Sequence, residues 1–134
     1  MKPVLSVLVV ENSPLIASKI TSFLAGLGWQ VDYAASGKMA LYHSKCHHYD
    51  VVLVNTNLPD MTFQEVHDNL VLFTEPQPSV LLMSDGKDFD EIATDMLNNI
   101  IPNQNDMKDI VSRCHAALSQ RAAMQPATAI AHPH

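Results

Sequence analysis

Four consecutive apolar residues, Val51-Val52-Leu53-Val54, run straight into Asn55-Thr56-Asn57, and the chain then breaks at Leu58-Pro59. A strand with one wet face alternates apolar and polar residues, so a run that is apolar at every position is expected to be covered on both faces. A strand of this kind belongs in the middle of a sheet, between two layers of helices. It also delivers an amide, Asn55, to the strand's carboxyl edge, and any account of function has to explain that amide.

The rest of the chain supplies the layers. Residues 4 to 10 form a second apolar run, followed by Ser13 as a helix cap and Pro14 at the first helical position, where a missing N–H costs nothing. Leu15, Ile16, Ile20, Phe23, Leu24 and Leu27 give the helix an apolar stripe, and Gly28 is placed to end it in a left-handed conformation. Residues 29 to 34 alternate, with Gln30 and Asp32 on one face, as suits a strand near a sheet edge. Ser36 caps a helix to about residue 46, and Thr62 caps another with Phe63, Val66, Leu70 and Val71 inward. Strands are expected at 79 to 83 and at 100 to 101, with a short helix over 88 to 97 between them. A last helix buries Ile110, Val111, Cys114 and Leu118.

Five strands alternating with five helices describe a three-layer α/β/α domain with a five-stranded parallel sheet. The order 2-1-3-4-5 fits an edge-like second strand and buried first, third and fourth strands. One domain over residues 1 to 120 is expected, with 121 to 134 as a disordered tail or truncated linker that suits a piece of a longer protein.

Charge narrows the partners. Fourteen acidic against eight basic residues leave a net charge of -6, which gives no footprint for nucleic acid or anionic lipid. The apolar run at 4 to 10 is too short to span a membrane, and Cys46 and Cys114 have neither disulfide nor metal spacing, so a reducing, cytoplasmic setting is expected.

In a sheet of this order ligands bind beyond the carboxyl ends of the strands, between the first and third. The segments that reach this crevice, "VLVVENSPLI", "YDVVLVNTNLPDM" and "VLLMSD", resemble the receiver domain of two-component response regulators, over roughly residues 4 to 119. The resemblance implies a flavodoxin-like fold and a signalling module rather than an enzyme. It places the family's acid pair on Glu11 and Asn12, its phosphoaccepting aspartate on Asn55, its hydroxyl on Ser84, its lysine on Asn103 and its aromatic switch on Ile100. Only Glu11 and Ser84 keep the family's chemistry.

The departures are informative. An amide nitrogen's lone pair is delocalised into its carbonyl, so Asn55 cannot attack phosphorus as a carboxylate does. Magnesium prefers several hard carboxylate oxygens, and of the usual three only Glu11 remains, so the metal site is expected to be lost and no cofactor is expected. Asn12 and Asn55 are expected to hydrogen-bond across the pocket instead.

These residues lead to a pseudo-receiver that acts by phosphorylation-independent protein contacts. In the family the face made by the fourth helix, fifth strand and fifth helix carries dimer or output contacts. Here that face would use Asp90, Glu91, Asp95, Ile100, Ile101 and Lys108, toward a protein partner with a basic surface or a second copy. The alternative is a small flavodoxin-like enzyme or ligand-binding domain using the same crevice. No Gly-rich phosphate loop follows the first strand and no nucleophile set converges there, which weighs against it. "HSKCHH" holds His43, Cys46, His47 and His48, a conceivable zinc or copper set if His43 and His47 share a helix face. Histidines at a helix C-terminus also complement the helix dipole, and that structural role is favoured.

Overall fold

Ser13 and Pro14 start the first helix as their chemistry requires: the Ser13 side chain accepts from the Ile16 N–H and proline occupies the first turn. The computed structural model describes residues 4–56, 58–74, 77–83, 100–101 and 106–130, without the side chains of Phe73 and residues 120–130. Along the chain the elements are β1 (Ser6–Val10), α1 (Pro14–Gly26), β2 (Gln30–Ala34), α2 (Gly37–Cys46), β3 (Val51–Asn55), α3 (Phe63–Phe73), β4 (Ser79–Met83), β5 (Ile100–Ile101) and α4 (Met107–Ile130). The helix expected at 88 to 97 lies outside the described residues.

All strand pairs are parallel, in the order β2-β1-β3-β4-β5. The expected order is therefore the observed one. Every residue of β3 is buried, whereas β2, at the edge, buries only Ala34. Strand alternation sorts the side chains into two cores. Val7, Val9, Val51 and Leu53 pack with Ile20 and Leu24 of α1 and Ile110 and Cys114 of α4. Leu8, Val10, Val52 and Val54 pack with Ala40 of α2 and Val66 and Leu70 of α3.

Local chemistry sets the helix ends. Ser36 caps α2 through Met39, and Thr62 and Glu65 form a reciprocal capping box on α3. Gly28 has a φ of 88°, the left-handed position that glycine takes without a Cβ clash. The apolar stripe of α1 is narrower than its sequence promised. Ala17, Ile20 and Leu24 face the sheet, while Leu15 is 74% exposed and Phe23 and Leu27 are also at the surface. The cause is the helical period: steps of three and four keep one line of residues inward, and the neighbours of that line turn outward.

The C-terminal helix differs more. It continues to Ile130, so residues 121 to 130 have helical backbone where an unstructured tail was expected. Arg121-Ala122-Ala123-Met124 are strong helix formers, and a helix satisfies its own backbone hydrogen bonds without an apolar face.

Candidate functional site

Register brings the site together. Val10 pairs with Val54 and Asn55 with Met83, so β3 ends level with β4 and one residue past β1. The Glu11 N–H donates to the Ala34 carbonyl at 3.0 Å, extending the ladder one residue past β1 and fixing where the carboxylate enters the crevice. Glu11 and Asn55 are 3% and 5% exposed, a rare depth for an acid and an amide.

They are buried because they satisfy each other. Asn55 Nδ2 donates to Glu11 Oε1 at 2.6 Å, and the Ser13 backbone N–H donates to Glu11 Oε2 at 2.9 Å. Both carboxylate oxygens are thus engaged, one by β3 and one by the start of α1. The bond expected between Asn55 and Asn12 is replaced by this one, because Asn12 lies exposed in the turn toward α1 and the inward position belongs to Glu11.

Burial pushes the Glu11 carboxyl above its ordinary value of 4.5, and hydrogen bonds from Ser13, Asn55 and Asn12 offset only part of that rise. In the window between 4.5 and the raised value the folded state binds more protons than the unfolded chain, so stability falls as pH rises through it. Glu11→Gln removes this slope. Thermal melts across the acid range should show the parent losing stability relative to Glu11→Gln as pH climbs through that window, and parallel curves would contradict the assignment.

The loop that follows Asn55 is pinned to α2. Asp60 accepts from the Gly37 and Lys38 N–H groups, each at 2.9 Å. The slight burial of Asp60 would raise its pKa, yet these backbone donors hold the carboxyl below the usual range. Asp60 is therefore occupied at a helix N-terminus and turned away from the crevice. Nothing in the sequence marks this contact, which joins residues 23 apart. The same approach explains Gly37, where a Cβ would lie 2.7 Å from Met61 Sδ and 2.9 Å from Met61 Cβ. Gly37→Ala should cost about 1–3 kcal/mol in a urea melt and move the amide signals of residues 58 to 62.

The other expected site residues distribute unevenly. Ser84 and Asn103 lie outside the described residues, as do Asp90, Glu91 and Asp95 of the expected interface. Lys108 is exposed on α4. Ile100 and Ile101 are 5% and 0% exposed, which corrects their place in that interface: successive strand residues point to opposite faces, and each enters one of the two cores. Arg113 was missed. Its Nη1 donates to the Ile100 carbonyl at 2.7 Å while its Nε bonds the Asp109 carboxylate, tying β5 to α4. The i,i+4 spacing of Asp109 and Arg113 was the only available signal.

The histidine segment closes α2. The helix ends at Cys46, and His47 caps it with an extended backbone, φ -137° and ψ 152°, its N–H donating to the His43 carbonyl at 2.9 Å. Among the described residues no three His, Cys, Asp or Glu side chains converge on a metal position. Among them, too, no helix is long and apolar enough to cross a membrane.

A parallel sheet of this order, with buried polar side chains facing each other where the winding reverses, defines a receiver-type α/β domain. The family model described as response regulator receiver domain matches residues 7–115, and the chain belongs to that family, a family of two-component signalling modules. The chain is 43% identical over 68 residues to the aerobic respiration control sensor protein ArcB of Escherichia coli (strain K12), covering 51% of this chain and 9% of that protein. It is 31% identical over 88 residues to the probable transcriptional regulatory protein TcrX of Mycobacterium tuberculosis, covering 66% of this chain and 38% of that one. The chain thus spans well under two thirds of either relative.

Solved structures carry the fold. A CheY-like response regulator receiver domain from Methylobacillus flagellatus superposes with a TM-score of 0.75 at 22% identity, covering 86% of this chain and 99% of the other. The signal receiver domain of an HD domain-containing protein from Pseudomonas fluorescens Pf-5 gives 0.78 at 15% identity, covering 94% and 95%.

Proposed function

We propose that this receiver is a pseudo-receiver: it passes its signal by protein contacts without taking up a phosphoryl group. The hydrogen bond from Asn55 Nδ2 to Glu11 Oε1, at 2.6 Å, carries this reading. At the phosphoacceptor position an amide offers no nucleophilic oxygen, and it bonds to the one acid left of the metal-binding set. The donor set at Glu11, Asn12 and Asn55 does not fit magnesium, which calls for several hard anionic oxygens, because one carboxylate remains and both of its oxygens accept hydrogen bonds. No magnesium or other cofactor enters the proposed function.

A pocket closed in this way holds one conformation instead of exchanging two. The contact surface that fits the family's habit takes the exposed side of α4, including Lys108, with the acids Asp90, Glu91 and Asp95 as its further candidates. Its acids and amides favour a basic protein surface, with a second copy as the competing occupant. A cytoplasmic setting goes with this reading.

The test is covalent labelling. Incubated with magnesium and phosphoramidate, the protein should gain no phosphoryl mass, and amide signals around Asn55 should not respond to magnesium alone. A phosphoryl group mapped to the crevice would overturn the reading.

A further inference from the structure

α1 and α4 pack on the same face of the sheet, and an open groove of about 400 Å³ lies between them. Phe23 and Leu27 of α1 line one side, and Lys108, Val111, Ser112 and His115 of α4 line the other. Phe23 and Leu27 are 40% and 46% exposed and stand one helical turn apart, so α1 presents a patch of uncovered apolar surface here. His115 meets the buried Trp29 edge-on, ring centroids 5.3 Å apart at 89°, which fixes the imidazole at the groove. Apolar walls with a few fixed polar groups are the usual make-up of a ligand site.

The groove's charge has one sign. No acid is part of its lining. The two acids nearest Lys108 in sequence are engaged elsewhere: Asp109 holds Arg113 at 3.0 Å, and Asp106 accepts from the Asp109 N–H. Lys108 itself forms no ion pair among the described residues, and it stands in the first turn of α4, where the helix dipole disfavours a cation. α1 carries no acid from Pro14 to Gly26, and its one charged residue, Lys19, lies one turn before Phe23. In a chain of net charge -6 this is a local surplus of positive charge, which attracts an anion and repels a cation.

We propose that this groove binds a small aromatic carboxylate, its rings against Phe23, Leu27 and Val111 and its carboxylate on the Lys108 ammonium, with Ser112 and His115 as further hydrogen-bond donors. A cavity of about 150 Å³ accepts benzene, so an open groove of this size takes a two-ring molecule. Its length argues for a small molecule. Phe23 to Leu27 spans about 6 Å and Lys108 to His115 about 10 Å at 1.5 Å per residue, too short to grip a docked helix over several turns. A second copy docked through the same groove would bring two positively charged surfaces together. The binding stands apart from the pseudo-receiver reading, since it uses none of the crevice residues, and it shares Lys108 with the contact surface proposed above.

The test is an amide NMR titration of the full chain with naphthoate, the neutral naphthylmethanol and the cationic naphthylmethylammonium, repeated on Lys108→Glu and Phe23→Ala. Naphthoate should saturate with a Kd of about 1 mM or tighter, with shifts centred on residues 19 to 29 and 108 to 115. Naphthylmethanol should bind at least about threefold more weakly, and the ammonium more weakly still. Lys108→Glu should weaken naphthoate at least about fivefold and leave naphthylmethanol within about twofold, the retained alcohol showing that the groove is intact. Phe23→Ala should weaken both ligands alike, by at least about threefold. Shifts that fail to saturate or centre elsewhere, alcohol or ammonium bound as tightly as naphthoate, undiminished naphthoate binding by either variant, or an equal loss of both ligands in Lys108→Glu would each overturn it.

Discussion

Asn55→Asp, which puts a carboxylate at the acceptor position proposed above, should destabilise this protein by about 2–4 kcal/mol at neutral pH. The parent amide donates to Glu11 Oε1 at 2.6 Å, at a depth where both side chains are at most 5% exposed. An aspartate there has no proton to give. It sets a second carboxylate against the first where water can screen little of the repulsion, and one of the two must take up a proton or the site must open. Urea melts should show the loss at pH 7 and its partial recovery in mild acid. Millimolar magnesium should also return part of it, in the variant alone, because two facing carboxylates begin to rebuild a hard-cation site. A variant as stable as the parent at neutral pH would mean that the Glu11–Asn55 contact does not organise the pocket.

Leu53→Ala should cost more, about 3–5 kcal/mol, which is a large part of the whole stability of a domain this size. Leu53 is fully buried at the centre of β3, packed in the core shared with α1 and α4. The substitution removes apolar area and leaves a cavity that a strand hydrogen-bonded on both sides cannot collapse to fill. Val31→Ala on edge strand β2 offers the comparison. Val31 is only partly buried, and its loss should stay below about 1.5 kcal/mol. Equal effects at the two positions would contradict the difference between centre and edge.

The same difference explains what could be read from the residues beforehand. β3 announced itself because burial on both faces removes polar residues from every position, and the caps at Ser13, Ser36 and Thr62 are short-range chemistry that any sequence displays. That Glu11 and Asn55 reach the crevice was legible because each ends an apolar strand. Their mutual bond was not, since the choice between Asn12 and Glu11 depends on which of two adjacent side chains turns inward after β1. Asp60 at the start of α2 and Arg113 at β5 join distant segments and leave no periodic trace. The outward turn of Leu15 and Phe23 was hidden for another reason: a helix can carry more apolar residues than its buried line needs.

Arg113, bound to β5, bears on how copies of this molecule can meet. An open sheet margin ordinarily invites a foreign strand to add to it, through a row of unsatisfied main-chain groups. Here the described margin is two residues long, and one of its carbonyls, that of Ile100, already accepts from a guanidinium. A strand adding at Ile100 would have to displace that guanidinium, so Arg113 guards this point of the margin.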